Sequence, residues 1–335
     1  MFFYRRMTMV YGLPYKGSKN IIAKRIVDAL PSGTNFVDCC CGGGAIAQVA
    51  TLSGKFKTVT GYDINKAIIG LLQATMVDFG KIDYENFPVV SKDEFIAARD
   101  RNETLNDFLI RYTCSFGANG NDYLWGESKI KYKTLMHNAI ALPTMDQRRQ
   151  ALRDFIGCLV KDKLSDAELE NLDHIDQALQ LNRIHKVENT MRSRKSKTKL
   201  DFVCGSMFDI PFEKYDVIYF DPPYAGTNGF NKKQFDFIRF RTLLQVLKDM
   251  GKTVFVSEYN QPAEGFTEVA SFIKIMTINA KGNRLVQEKL FYGGSKEQYN
   301  SLEGLSTLSK PASDTTVLDD TDERAGAAET DRGVV

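Results

Sequence analysis

Two short apolar runs, each giving way to a helical period, fix the fold class before anything else does. Asn35 to Cys40 reads as a strand, Gly42-Gly43-Gly44 as a turn, and Ala45 to Leu52 as the start of a helix. Lys57 to Asp63 reads as a second strand, and Asn65 opens a helix running towards Phe79. Strand–helix–strand–helix at this spacing builds an α/β, doubly wound parallel sheet. Ahead of it lie a loop from Tyr11 to Lys19 and a helix from Asn20 to Leu30. The period changes at about Asp83. From there to Lys199 strand alternation is scarce and helical patches dominate. In one of them, Ser165 to Met191, Ser165 and Glu168 fit a capping box, and Leu169, Leu172, Ile175 and Leu179 form a core-facing stripe. Strands resume at Leu200–Cys204, Tyr215–Phe220, Lys252–Tyr259, Phe266–Phe272 and Glu288–Tyr292, with a helix from Phe240 to Met250. The expectation is one sheet domain over residues 1–82 and 200–300, interrupted by a helical insertion over 83–199.

The chemistry is concentrated after the strand Tyr215–Phe220, at Asp221-Pro222-Pro223-Tyr224. Two prolines stop the ladder, because proline has no N–H to donate. They leave an acid and an aromatic ring on a stiff turn at a strand's carboxyl end, where open α/β sheets bind ligands. A rigid carboxylate, carbonyls and a flat ring suit a planar, amino-bearing base. Taken by itself, the tetrapeptide also fits a plain surface turn.

The turn after the first strand is Asp38-Cys39-Cys40-Cys41-Gly42-Gly43-Gly44. Glycines there let backbone approach a ligand closely. Asp63 ends the second strand, where it can accept hydrogen bonds from ribose hydroxyls. Gly42-x-Gly44-x-x-Ala47 formally matches a dinucleotide fingerprint, so an NAD-dependent oxidoreductase competes with an S-adenosylmethionine enzyme on this stretch. Asp38 tilts the choice: an acid beside the glycines suits a cationic amino acid moiety and repels a pyrophosphate.

Charge is unevenly spread along the 335 residues. Ser301 to Val335 carries 8 acidic and 3 basic residues, so Met1 to Asn300 has 41 basic against 34 acidic. The body is mildly basic, which permits a polyanion partner. The tail, 301–335, is acidic, poor in aromatics and expected to be disordered. Six cysteines include no CxxC pair, and His residues number three, so no metal site is expected. The cysteines read as small buried residues of a reducing compartment. No run approaches the roughly 20 apolar residues that cross a bilayer, and the start, Met1-Phe2-Phe3-Tyr4-Arg5-Arg6, lacks a signal peptide's apolar stretch. The expected location is cytoplasmic.

Together these pieces resemble the Dam-like, or D12 class, adenine-specific DNA methyltransferases over most of residues 11–294. Tyr15-Lys16-Gly17-Ser18-Lys19 looks like the family's N-terminal cofactor motif. Phe36-Val37-Asp38 through Gly44 looks like its glycine motif, with cysteines replacing a proline and a phenylalanine. Tyr62-Asp63-Ile64-Asn65 matches its Asp-x-Asn motif, and Phe116-Gly117-Ala118-Asn119-Gly120 resembles the start of its target-recognition region. Ser257-Glu258-Tyr259-Asn260 and Glu288-Lys289-Leu290-Phe291 resemble later strand motifs. The resemblance implies a class I (Rossmann-like) S-adenosylmethionine-dependent methyltransferase sheet with a helical target-recognition insertion. The activity implied is N6-methylation of an adenine flipped out of duplex DNA. Asp221, Pro222 and Tyr224 are the implied catalytic residues. Tyr15, Lys19, Asp38, Gly42, Gly44, Asp63 and Asp221 are the implied S-adenosylmethionine site.

Arg192-Ser193-Arg194-Lys195-Ser196-Lys197-Thr198-Lys199 carries five positive charges in eight residues. It reads either as a solvated loop or as a phosphate contact beside the insertion. Asn119, Arg192, Arg194, Lys195 and Lys197 are the candidate DNA contacts, with Asn121, Arg148, Arg149 and Gln150 as further candidates for base edges. The protein is expected to need no metal or membrane and to be a monomer or weak dimer. N4-cytosine methylation, an NAD oxidoreductase and a non-catalytic DNA-binding module stand as alternatives.

Overall fold

β-Branched and aromatic runs form the five parallel strands β1 (Gly33–Asp38), β2 (Phe56–Asp63), β3 (Lys199–Cys204), β4 (Val217–Phe220) and β5 (Thr253–Glu258). β6 (Thr267–Thr277) and β7 (Asn283–Tyr292) are an antiparallel pair, and β7 joins β5 antiparallel. The sheet order is β3-β2-β1-β4-β5-β7-β6. The computed structural model describes residues 11–302 except 85, 89, 125–131, 133, 136, 139–143, 163–175, 224–234 and 278–282. The capping box and most of the stripe expected over 165–175 fall outside the described residues, as do Tyr224 and positions 303–335 of the tail.

Both faces of the sheet are covered, so its strands are apolar on both sides. Phe36, Tyr219 and Phe255 point into one core with Ile68, Leu72 and Ala47 from the helices α2 (Ala45–Ser53) and α3 (Lys66–Met76). Their neighbours Val37, Ile218, Phe220, Val254 and Val256 point into the other, against Phe240, Leu244 and Leu247 of α8 (Phe237–Asp249). This is the α/β class I sheet that the resemblance implies. α8 begins earlier than its apolar period suggests, because Asp236 caps it by accepting from the Arg239 N–H at 2.9 Å. β6 and β7 also run longer than expected. Ladder pairing from Ile273↔Gln287 to Thr277↔Asn283 carries them past the expected ends.

α1 (Ala23–Asp28) precedes the sheet, and α9 (Lys296–Asn300) follows it. Between α3 and β3 the described residues include α4 (Lys92–Arg101), α5 (Leu105–Thr113), α6 (Met145–Asp162) and α7 (Asp176–Arg192). α7 packs Leu181, Ile184, Val187 and Met191 into the same core as α3. Its Arg183 donates to the backbone carbonyls of Gly12 (3.2 Å) and Tyr11 (3.3 Å), tying this helix to the loop before α1.

That loop lies on the glycine turn. Leu13 donates its N–H to the Gly43 carbonyl at 2.7 Å, and the Gly12 N–H reaches Gln48 Oε1 at 2.7 Å. A Cβ on Gly43 would lie 2.6 Å from the Leu13 carbonyl oxygen, a backbone atom with no rotamer to escape into. Gly43→Ala is therefore expected to destabilise the protein by about 2 kcal/mol, in the range for overpacked sites, which thermal unfolding checks.

Candidate active site

Strand order reverses between β1 and β4. β1 continues to β2 and β3 on one side, and β4 to β5 on the other. The loops leaving their carboxyl ends diverge and open a crevice. β1 ends on Asp38 and β2 on Asp63, and Asp221 follows directly after β4. The register sets Asp63 and Asp221 level with each other and two positions beyond Asp38, whose partners are Gly61 and Tyr219. The glycine turn is anchored to both neighbours: Cys39 N–H donates to the Tyr219 carbonyl (2.9 Å) and Cys41 N–H to the Tyr62 carbonyl (2.8 Å).

Asp63 organises the β2 side. Its Oδ2 accepts from the Gly42 N–H at 3.0 Å and its Oδ1 from the Asn65 N–H at 2.9 Å. Burial raises its pKa against the pull of those hydrogen bonds. Asn65 caps α3, accepting from Ala67 N–H at 3.1 Å, and donates its amide to the Tyr112 hydroxyl at 2.7 Å. Tyr112 comes from α5 and its ring sits 5.8 Å from that of Tyr15. Gly42, at φ +47°, lies under the Tyr15 ring, which a Cβ there would meet at 2.9 Å. Ile64 is 77% exposed beside Asp63. The sequence reading passed over it, although an aliphatic residue inside an Asp-x-Asn motif was visible.

The β1–β4 side is acidic. Asp38 is 1% exposed, and neither carboxylate oxygen has a hydrogen-bond partner. The Cys40 N–H and the Lys19 ammonium act on it from outside hydrogen-bond geometry. Burial holds its pKa well above the carboxylate range, and the charges of Asp221 and Asp63 push it further up. Lys19 Nζ lies 2.6 Å from Asp221 Oδ2 and 3.3 Å from Glu288 Oε1. Burial pulls the Lys19 ammonium down, but the two carboxylates outweigh it, so its pKa stands above the ordinary lysine value. Glu288, on β7, was named only as part of a strand motif. Its contact crosses the sheet order, and local sequence gives no sign of it. Pro222 is buried and Pro223 half-buried, which holds the turn stiff.

Tyr15, Lys19, Asp38, Gly42, Asp63 and Asp221 therefore converge on one sheet edge, and Gly44, at φ +71°, turns the chain into α2. The basic cluster does not join them. Arg192 pairs with Glu188 at 2.6 Å and lies over the Phe79 ring. Arg194 donates to the Met191 and Met76 carbonyls. Lys195 and Lys197 are exposed, but they precede β3, whose first residue pairs with Thr58 and whose last pairs with Asp63. A strand of this length separates the two edges by about 17 Å. Asn119 is engaged within its own turn. Its Oδ1 accepts from the N–H groups of Asn121 (2.8 Å) and Asp122 (3.0 Å), and its amide donates to Asp122 Oδ2. The cysteines also divide. Cys39, Cys41 and Cys114 are buried as expected, whereas Cys204 is exposed at the end of β3.

Among the described residues, no His, Cys, Asp or Glu group is arranged to hold a metal ion. No described helix is long and apolar enough to cross a membrane. The donor set instead fits an organic cation. A carboxylate this deeply buried is costly unless a positive partner reaches it, and Asp38 has none within hydrogen-bond distance. A pyrophosphate would meet Asp38, Asp63 and Asp221 at close range.

No curated protein matches the chain. Among solved structures, Sp1610 of Streptococcus pneumoniae, provisionally assigned as a tRNA (m1A22) methyltransferase, is similar over 84% of this chain and 75% of its own, at 8% identity and a TM-score of 0.27. The sequence profile of the D12 class N6 adenine-specific DNA methyltransferases matches residues 15–115. That span holds Tyr15, Lys19, the glycine turn, Asp63-Ile64-Asn65 and Tyr112. Over residues 15–115, under a third of its 335 residues, the chain is thus similar to the D12 class of N6 adenine-specific DNA methyltransferases.

Proposed function

We propose that the protein transfers a methyl group from S-adenosylmethionine to the exocyclic amine of an adenine extruded from duplex DNA. The observation that carries this reading is the buried, unpartnered carboxylate of Asp38 next to Asp221 at the sheet's switch point. When bound, S-adenosylmethionine supplies a methyl group already activated by its sulfonium. Asp38 would hold the ammonium of the methionine moiety. Asp63 would accept from the ribose, Ile64 would offer an apolar surface to the nucleobase, and Tyr15 would cover the glycine turn.

Asp221 acts on the substrate. The lone pair of an aromatic amine is delocalised into its ring, so the nitrogen is a poor nucleophile. Hydrogen bonds from that amine to the Asp221 carboxylate and the Pro222 carbonyl draw the nitrogen towards tetrahedral geometry and free the lone pair. Lys19, paired to Asp221 at 2.6 Å, offsets the charge of that carboxylate beside two other acids. Positioning and electrostatics of this kind supply most of such an acceleration. Extrusion follows from access, because an amine inside a duplex cannot reach a half-buried carboxylate recessed at the sheet edge. Tyr224 would stack on the extruded base, an interaction worth about 1–3 kcal/mol. The helices between α3 and β3 would carry target recognition.

Incubating the purified protein with methyl-labelled S-adenosylmethionine and a mixed-sequence duplex tests the proposal. Labelled DNA supports it. Saturable NAD binding with no label in the DNA would replace it with the oxidoreductase reading. A second prediction concerns the far edge of the sheet. Lys195→Glu with Lys197→Glu should leave the KM for duplex within about twofold and the salt dependence unchanged. Were either lysine bound to a DNA phosphate, its replacement would reduce the log–log salt slope by about 0.9.

A further inference from the structure

We propose that Glu288 is a positioning residue that draws Lys19 onto Asp221 and away from Asp38, so that one acid is ready for the amine and the other stays open for the donor's cation. This rests on the methyl-transfer reading above.

The geometry is a buried chain of charges from three distant segments. Glu288 is fully buried and Lys19 is 6% exposed. Lys19 Nζ bridges Glu288 Oε1 and Asp221 Oδ2 at 3.3 and 2.6 Å. An enclosed carboxylate is costly, and replacing buried ion pairs by apolar side chains is often neutral or stabilising. Packing alone therefore gives no reason for an acid on β7, where Leu290 meets the same demand two residues on. Lys19 has a choice of acids. Asp38 and Asp221 both act on it electrostatically, yet its ammonium bonds Asp221 and leaves both Asp38 oxygens without a partner. Glu288 is the third carboxylate that biases this choice, because it attracts Lys19 from the β7 side. Without it, one ammonium would be shared between Asp38 and Asp221. It would then compete with the donor at the first and leave the second less firmly aimed.

The test is a double-mutant cycle on methyl transfer to duplex DNA. Glu288→Gln keeps the shape and removes the charge. Misorienting a reacting group costs up to about 10²-fold, so kcat should fall about 10- to 100-fold, with a several-fold weaker affinity for S-adenosylmethionine. In a Lys19→Gln background the same change should cost less than about twofold, because the residue it acts through is gone. Effects that multiply in the double variant would overturn the proposal, as would a wild-type kcat in Glu288→Gln. Glu288→Asp keeps the charge and should recover most of kcat, a readout that mere loosening would not move. Should Glu288→Gln fail to fold, Glu288→Asp replaces it. An Asp variant that folds and retains most of kcat supports the charge role, and one that folds but is impaired 10-fold or more contradicts it. A wild-type protein that labels no DNA would instead remove the methyl-transfer reading itself.

Discussion

Asp221→Asn should lower the rate constant for methyl transfer by at least about 10³-fold, the upper range for deleting one preorganised electrostatic contact, while the Kd for S-adenosylmethionine changes by only a few-fold. The asparagine fills the same space, so the β4 turn and its buried Pro222 stay in position. What changes is the charge that the amine would meet. An amide oxygen accepts more weakly than a carboxylate, and the Lys19 ammonium at 2.6 Å loses its nearest counter-ion. Asn is more informative than Ala here, because Ala would add a cavity beside a buried lysine and mix a folding defect into the kinetics. Single-turnover transfer and calorimetric binding, run on the same preparation, separate the two effects. An Asn variant with near-normal transfer would remove Asp221 from the chemistry.

Asp38→Asn should have the complementary effect, weakening S-adenosylmethionine binding by about 10²- to 10³-fold, as expected when one member of a buried charge pair is removed. The pH dependence gives a sharper readout. Burial and the neighbouring charges of Asp221 and Asp63 hold the Asp38 carboxyl protonated well above the ordinary range. A cationic ligand needs it ionised, so wild-type affinity should rise with pH until Asp38 has lost its proton, and the Asn variant should lack that slope. Stability runs the other way. A carboxyl whose pKa is raised on folding contributes stability that is fully present below its unfolded value of about 3.9 and is lost as pH rises through the folded value. The ligand-free wild type should therefore lose ground to Asp38→Asn between mildly acidic and neutral pH, the variant showing the higher Tm at pH 7. Thermal unfolding across that range checks the sign. A variant less stable than wild type at every pH would mean that Asp38 is held by partners other than a bound cation.

How much of this was legible in the chain depends on the range of the interaction. β1, α2, β2 and α3 follow from local apolar periods, and their ends match the sequence reading within a few residues. Asp38, Asp63 and Asp221 were identifiable because each closes an apolar strand, and in a parallel sheet all such ends fall on one edge. The isolation of Asp38 was not legible, since it depends on which groups fail to reach it. Glu288 was hidden for a related reason. Its partner is 269 positions away, and only the antiparallel return of β7 brings the two together. The charge run at 192–199 was legible only as a count of charges. Glu188, four residues before Arg192, stands at the spacing of a helical ion pair, and that pair ties the exposed first arginine to a buried acid. Counting charges along the chain registers neither that engagement nor the sheet edge on which the lysines emerge.

The acidic corner at the β1–β4 switch point is held to grip an extruded adenine beside a sulfonium donor. Digesting enzyme-treated duplex to nucleosides and identifying the modified one by mass spectrometry addresses this directly, with Asp221→Asn treated in parallel. N6-methyladenine as the product, absent from the Asp221→Asn sample, is the expected result. N4-methylcytosine, or DNA left unmodified by a folded enzyme that binds S-adenosylmethionine, would contradict it.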